Sequence, residues 1–279
     1  MTTETIGILH PGEMGISLAA VALRAGHQVC YASNGRSART QARAREHRLR
    51  DVRTVPELVG TCGVIISICP PHAATDVADA VAAEGFRGLY VDANAISPQR
   101  AVDIGRAIES RGGSFVDGGI IGGPASEEGG TRLYLSGKEA ERVRDCFTSG
   151  RLEVSIIGDE IGKASALKMC YAAYSKGTTA LLAAIMALAE VSGVREDLLR
   201  QWDEDEQGFA RRAEQRTRRV TAKAWRFAGE MVEIAATFRA AGLPDGFHAA
   251  AGAIYRRMQS FKDVEPTPAL AEVISKLLL

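Results

Sequence analysis

The run Gly7-Ile8-Leu9-His10-Pro11-Gly12-Glu13-Met14-Gly15 constrains this chain more than any other stretch of it. A β-branched segment, residues 6–9, ends in a glycine turn, and an apolar repeat at helical spacing (Ile16, Leu18, Ala19, Val21, Leu23) starts at once. A strand that turns over glycine into a helix points bare backbone N–H groups at the space before the helix, which suits a phosphate. Gly12 would let the chain approach a dinucleotide pyrophosphate closely, and Gly15 would let the helix pack on the strand. The plainer reading is a turn that merely needs glycine. His10 stands where such loops have their first glycine, so the turn must form with a side chain present and with the φ of Pro11 fixed. Glu13 adds a negative charge that is tolerable if it faces solvent and the helix dipole.

What surrounds the loop favours the nucleotide reading. From Ile6 to about Gly158, short β-branched runs alternate with amphipathic helical patterns, the rhythm of a parallel sheet covered by helices. The spacing predicts strands over 6–9, 27–32, 63–69, 88–93, 114–118, 132–137 and 152–158. After Gly162 the strand signal disappears, and Ala, Leu, Glu and Arg recur at helical spacing almost to Leu279. A first helix is expected from about Ser165 to Val191, and breaks near Gly193, Gly208, Gly242–Gly246 and Pro266–Pro268 suggest three or four more. The expected fold class is α/β: a doubly wound parallel sheet with extra strands at one edge over residues 1–161, followed by an all-α domain over 162–279.

The second predicted strand ends in Ser33-Asn34-Gly35-Arg36-Ser37, where a site selective for NAD would carry an acid for the ribose hydroxyls. Without that acid nothing repels a 2′-phosphate, and Arg36, with Ser33, Asn34 and Ser37 beside it, offers charge and donors. NADP(H) is the expected cofactor. Arg39, Arg43, His47 and Arg50 continue along the next helix and read as a solvated basic face.

Composition narrows the rest. The 34 basic residues balance 34 acidic ones, so no global field draws in nucleic acid or an anionic membrane. Five scattered cysteines, an odd number in apolar runs, fit reduced thiols and a cytoplasmic setting. The N-terminus lacks a signal-peptide pattern, and the apolar run Ala180–Ala189 is too short to span a bilayer. No Cys/His cluster has metal-ligand spacing and no Ser-His-Asp set is visible, so metal and covalent hydrolytic mechanisms are not expected.

Further motifs follow the loop in order: Cys69-Pro70-Pro71; Asp92-Ala93-Asn94-Ala95-Ile96-Ser97-Pro98; Asp117-Gly118-Gly119-Ile120-Ile121-Gly122-Gly123; and Gly162-Lys163-Ala164-Ser165-Ala166-Leu167-Lys168. With His10-Pro11-Gly12-Glu13-Met14-Gly15, this series resembles the β-hydroxyacid dehydrogenase and 6-phosphogluconate dehydrogenase superfamily over nearly the whole chain. The resemblance implies a Rossmann domain, contacts to cofactor from Cys69, Pro70, Pro71 and Asn94, and substrate binding by Asn94, Gly122, Gly123 and Lys168, to which helical spacing adds Tyr171 and Ser175 as candidate substrate contacts. It also implies that Lys168 is the catalytic acid/base. The residues support a role for the lysine independently. It lies among Ala164, Ala166, Leu167, Met169 and Ala172, and an ammonium in an apolar helix pattern needs work or a partner.

The chain also departs from the family. Tyr171 and Ala172 stand where an asparagine usually follows the lysine, Asn94-Ala95 replace a Ser/Thr pair, Ile121 replaces a serine, and Gly229-Glu230 replace Lys-Asp. Tyr171 could give a phenolic donor or be a core residue. Spacing puts Lys168, Tyr171 and Ser175 on one helix face. The expected activity is hydride transfer between NADP(H) and a small hydroxy or oxo compound, acidic in the sense that two glycine amides suit an anion, in a cleft between the domains. Imine reduction with Tyr171 as proton donor and a non-catalytic NADP(H) sensor are the alternatives.

Weaker signals complete the reading. Arg212, Arg216, Arg219, Lys223 and Arg226 form a basic helix face, read as solvated, with pairing to the acidic run Asp203–Glu206 of a second copy, or capture of an anionic substrate or the NADP phosphate, as alternatives. Trp225, Phe227 and Phe247 are expected to pack the core, and His72 to begin a helix or touch cofactor. The alanine-rich helix exposes enough apolar surface to suggest a homodimer.

Overall fold

The computed structural model describes residues 3–125 and 129–279. The chain divides into two compact units, Met1–Met169 and Cys170–Leu279, with the division inside one long helix.

The first unit runs β1 (Thr5–Ile8), α1 (Glu13–Arg24), β2 (Gln28–Tyr31), α2 (Ala38–Glu46), β3 (Arg50–Asp51), α3 (Val55–Thr61), β4 (Val64–Ser67), α4 (Ala74–Ala83), β5 (Leu89–Asp92), α5 (Pro98–Glu109), β6 (Ser114–Ile121), β7 (Thr131–Ser136), α6 (Ala140–Asp145) and β8 (Leu152–Ile156). Among the described residues the strands form one sheet in the order β3-β2-β1-β4-β5-β6-β7-β8. Pairing is parallel from β3 to β6, β7 runs antiparallel to β6, and β8 is parallel to β7. This is the Rossmann order with two strands added beyond β6, and the winding reverses between β1 and β4.

The two-residue period of the strands explains why helices cover both faces. Ile6, Ile8, Val64, Ile66, Leu89 and Val91 pack on one side with Leu18, Val21 and Ala22 of α1 and Ala44 of α2. Ile65, Tyr90 and Phe115 point to the other side, against Leu58 of α3, Ala78 and Val81 of α4 and Ile104 and Ile108 of α5. The seven expected strands are all present, and β3 is an eighth. Its two exposed residues carry no apolar alternation, so sequence pattern alone could not reveal it. β6 runs on to Ile121, beyond the expected end at Gly118, and carries Gly118 and Gly119 within the ladder to β7.

Helix α7 spans Lys163–Val191, starting two residues before the expected Ser165. By length and composition it could cross a membrane, which the ten-residue run Ala180–Ala189 did not suggest; 56% of its most apolar window is buried inside the protein, as in a core helix. The second unit continues with α8 (Arg195–Asp205), α9 (Phe209–Arg219), α10 (Ala224–Ala240), α11 (Gly246–Arg257) and α12 (Leu270–Leu277). Five helices thus follow α7, one more than the upper expectation. The extra break is a 3-10 turn over Thr221–Lys223, which has neither Gly nor Pro to announce it.

Two aromatic expectations are corrected. Trp225 and Phe247 are exposed, at 38% and 49%. Lys262 lies over the Trp225 ring, 4.4 Å from its centroid. Phe227 is half-buried and meets Tyr255 edge-on. α7 also leaves Tyr171, Tyr174, Leu181, Leu188 and Val191 exposed on its surface.

Candidate active site

The glycine loop joins β1 to α1 at the point where the winding reverses. Gly12 is the N-cap of α1, and no side chain caps it, so the first amides of the helix have no intrahelical partner. A Cβ at Gly12 would meet nothing within 4 Å, whereas one at Gly15 would lie 2.2 Å from the His10 carbonyl oxygen. Gly12 thus keeps the approach to the helix end open, and Gly15 lets the loop fold tightly over the helix. The turn closes through a Gly12 N–H bond to that same carbonyl, 2.8 Å. Glu13 lies near Arg39 (3.8 Å) and Arg43 (3.9 Å) of α2, so its charge is offset and part of the basic face has a local partner.

His10 is half-buried, and its Nδ1 is buried with no hydrogen-bond partner among the described residues. Burial, then the nearby Arg36 guanidinium, pulls its pKa down to about 4, so the imidazole is neutral near pH 7. Arg36 Nε is likewise buried without a partner. Burial also lowers the Arg36 pKa, with Cys69 opposing. His10, Arg36 and Cys69 follow β1, β2 and β4 and lie close enough to influence one another's ionisation. Two orphaned polar atoms beside an uncapped helix N-terminus suit a phosphate-bearing ligand: the residues present fit a dinucleotide.

Below this cluster a polar strut joins the ends of β4 and β5. Asn94, itself buried, accepts from the Cys69 N–H at Oδ1 (2.5 Å) and donates from Nδ2 to Ser67 Oγ (3.1 Å) and Asp92 Oδ2 (2.9 Å). Its N–H donates to Asp92 Oδ1 (2.9 Å). Both ends of the carboxamide are engaged, so Asn94 holds Cys69-Pro70-Pro71 in place. Burial raises the Asp92 pKa to about 7 against the pull of the Asn94 bonds, and burial pushes the Cys69 thiol up to about 12. Pro71 begins a 3-10 turn, on which His72 is exposed.

At the start of α7, a residue that sequence reasoning left without a role organises the geometry. Asp117 of β6 is fully buried. Its Oδ2 accepts from Gly162 N–H (3.0 Å), Ser165 N–H (3.0 Å) and Ser136 Oγ (3.0 Å), and its Oδ1 from Ser165 Oγ (2.6 Å). Burial raises its pKa while these four donors pull the other way. The carboxylate thus caps α7 from a distant strand. Gly119, two residues on, lets the helix lie against β6: a Cβ there would sit 2.6 Å from Ala164 O and 3.2 Å from Lys168 Cβ. Lys168, half-buried, donates from Nζ to the Ile120 carbonyl (2.5 Å) at the carboxyl end of β6. Gly122 follows at φ +112, where a Cβ would strike Gly130 O at 2.4 Å, so this turn demands glycine; Gly123 is open. Lys168, Ile120 and the glycine pair are therefore neighbours.

In the second unit, Tyr171 is 48% exposed and so is not a core residue. Ser175 is half-buried, and its carbonyl accepts from Arg216 and from Thr179 Oγ1. Arg216, of the basic face, also binds Thr178 and Thr179 side chains, and Arg212 pairs with Glu206 of its own chain. Glu230, in the position where the family has an aspartate, forms a buried ion pair with Lys176 (2.7 Å) and a second contact with Arg226 (3.2 Å). Sequence reading missed Lys176, although a lysine between Ser175 and Gly177 on an alanine-rich helix was a signal.

A sheet in this strand order, with an open glycine loop at its point of reversal, defines the NAD(P)-binding dehydrogenases and reductases of Rossmann fold. Residues 5–153 match the NAD binding domain of 6-phosphogluconate dehydrogenase, and the chain belongs to that family of oxidoreductases, within the β-hydroxyacid dehydrogenase-like superfamily. Residues 189–258 match a domain of unknown function, DUF1932. The chain is 30% identical over 179 residues to an uncharacterized 28.5 kDa protein of Methanothermus fervidus, covering 64% of this chain and 68% of that one. A solved conserved protein of unknown function, described as structurally similar to 3-hydroxyacid dehydrogenases, is 28% identical with a TM-score of 0.66, covering 92% of this chain and 97% of that one. 3-Hydroxyisobutyrate dehydrogenase of Mycobacterium tuberculosis shares the fold over the whole of both chains, with a TM-score of 0.73 at 20% identity.

Proposed function

We propose that this protein is a cytoplasmic NADP(H)-dependent oxidoreductase acting on a small, anionic hydroxy or oxo compound, with Lys168 as acid/base. The first unit is read as the cofactor domain and the helical unit as the substrate-binding and dimerisation domain. The observation that carries the reading is the presence, in one unit, of an open glycine loop and a lysine fixed at a strand end by a helix locked onto Asp117.

In this reading the amides of residues 12–15 take the pyrophosphate, and Ser33, Asn34 and Arg36 take the 2′-phosphate. When bound, the nicotinamide supplies or accepts the hydride. Lys168 gives a proton from Nζ to the substrate oxygen during reduction and takes it back during oxidation. The amides of Gly122 and Gly123 hold the anionic group, with Tyr171 and Ser175 as further polar contacts. Asn94 acts by keeping the ends of β4 and β5 in register. Arg36→Ala is expected to raise KM for NADPH by about 10- to 100-fold, the worth of a charge-assisted bond pair, and to leave KM for NADH nearly unchanged. Initial rates with both cofactors check this; equal changes would remove Arg36 from the role.

The exposure of Tyr171 favours a second reading, reduction of C=N bonds with Tyr171 as proton donor. Cyclic imines tested beside 3-oxo acids, following NADPH oxidation, separate the two; turnover of the acids alone excludes imine reduction. We also propose a homodimer covering the exposed Tyr174, Leu181, Leu188 and Val191 of α7. Light scattering at micromolar protein should give twice the chain mass of 29.7 kDa, and a monomer would contradict it.

A further inference from the structure

We propose that Arg53 is the second cation of the 2′-phosphate subsite and, with Arg36, sets the preference for NADPH over NADH; this rests on the cofactor reading above. The argument begins with charge. A phosphate monoester carries about −1.5 to −2 near neutral pH. Arg36 supplies one positive charge, and His10 adds none, because burial and Arg36 hold its pKa near 4. Arg39 and Arg43 lie against Glu13. A second cation would balance the phosphate charge more fully, and the chain ties the backbone of one, Arg53, to the same loop.

The two-residue strand β3 pairs with β2 through Cys30 opposite Arg50 and Tyr31 opposite Asp51, so both strands leave the sheet at one level. Val52 N–H then donates to Tyr31 O (3.0 Å), and Asn34 N–H donates to Arg53 O (2.9 Å). The loop after β3 is thereby tied to the Ser33–Ser37 loop two residues from Arg36. Gln41 of α2 fixes the other side of that loop through bonds to the Ser33 and Arg36 carbonyls.

Arg53 itself has φ +65, a left-handed conformation that glycine or asparagine adopts more readily than a long side chain. It is held there by its N–H bond to Asp51 Oδ1 (2.8 Å), and the following Thr54 opens α3 with a capping box. A residue kept in a sparsely populated conformation at a strand end invites a functional explanation. The Arg53 side chain is exposed and forms no ion pair among the described residues, so its charge is available to a ligand.

The test uses the full chain and isothermal titration with NADPH, NADH, adenosine 2′,5′-bisphosphate and 5′-AMP. Arg53→Ala should weaken NADPH and the bisphosphate about 5- to 10-fold and leave NADH and 5′-AMP within about twofold, with Arg53→Lys recovering most of the loss. Arg53→Asn, which suits the backbone conformation, should behave like the alanine variant and excludes unfolding as the cause. If NADPH and NADH weaken together, or the ratio of their affinities stays at the wild-type value in both variants, Arg53 has no part in selection. If Arg36→Ala removes the preference while the Arg53 variants keep it, this inference alone falls; a wild-type protein without any preference for NADPH overturns both.

Discussion

Replacing Lys168 by methionine is expected to lower kcat by about 10²- to 10⁴-fold, the usual contribution of a positioned acid/base group, while the dissociation constant for NADPH should stay near its wild-type value. Methionine keeps an unbranched stem and removes only the ammonium, so packing along α7 is preserved. The substitution gives up the hydrogen bond to the Ile120 carbonyl, worth about 1 kcal/mol or a little more. Lys168→Arg sharpens the test: it restores a positive charge with a group that does not deprotonate in proteins. If charge alone mattered, the arginine enzyme would recover activity; if proton transfer matters, it stays as slow as the methionine enzyme. Single-turnover rates with a substrate from the 3-oxo acid panel measure the chemical step directly, and an unchanged rate in Lys168→Met would end the lysine's role.

The second large effect is on stability. Asp117→Ala removes the acceptor of four buried donors, two of them amides at the start of α7, and is expected to cost about 3–5 kcal/mol. For a chain of this size that corresponds to a drop in Tm on the order of 10 °C. Asp117→Asn should cost less, about 1–2 kcal/mol, because one carbonyl oxygen can serve the three donors now on Oδ2 while the amide donates to the Ser165 hydroxyl. Calorimetry on the two variants checks the order. Equal and small losses would mean that α7 does not depend on this carboxylate for its start.

Much of the first unit was legible because its strands are buried on both faces and its turns use glycine. Ile6, Gly7 and Ile8 show both sides of the sheet in three residues, and Gly12 and Gly15 signal a helix that begins on a ligand. β3 was not legible, since an edge strand of two exposed polar residues exists only through its pairing with Cys30 and Tyr31. Asp117 was visible as an acid in an apolar strand, yet its partners lie 45 and 48 residues away at Gly162 and Ser165, and only the fold supplies them. The engagement of Asn94 was hidden for the same reason: its partners Ser67, the last residue of β4, and Cys69, just beyond it, lie 27 and 25 residues earlier. In the helical unit, an amphipathic period told which residues sit on helices. It could not tell that Lys176 and Glu230 would find each other in the interior, or that Trp225 and Phe247 would stay outside.

The missing side chain at Gly119 of β6 has a further consequence. Sheets and helices ordinarily stand about 10 Å apart, with interdigitating side chains as an elastic spacer, and exchanging those side chains shifts the layers by fractions of an ångström. At Gly119 that spacer is missing, and the first turns of α7 rest on main chain. The height of the Lys168 ammonium over the sheet is then fixed by atoms common to every amino acid. Aliphatic exchanges elsewhere in the core should therefore move the ammonium less than any side chain placed at position 119 would.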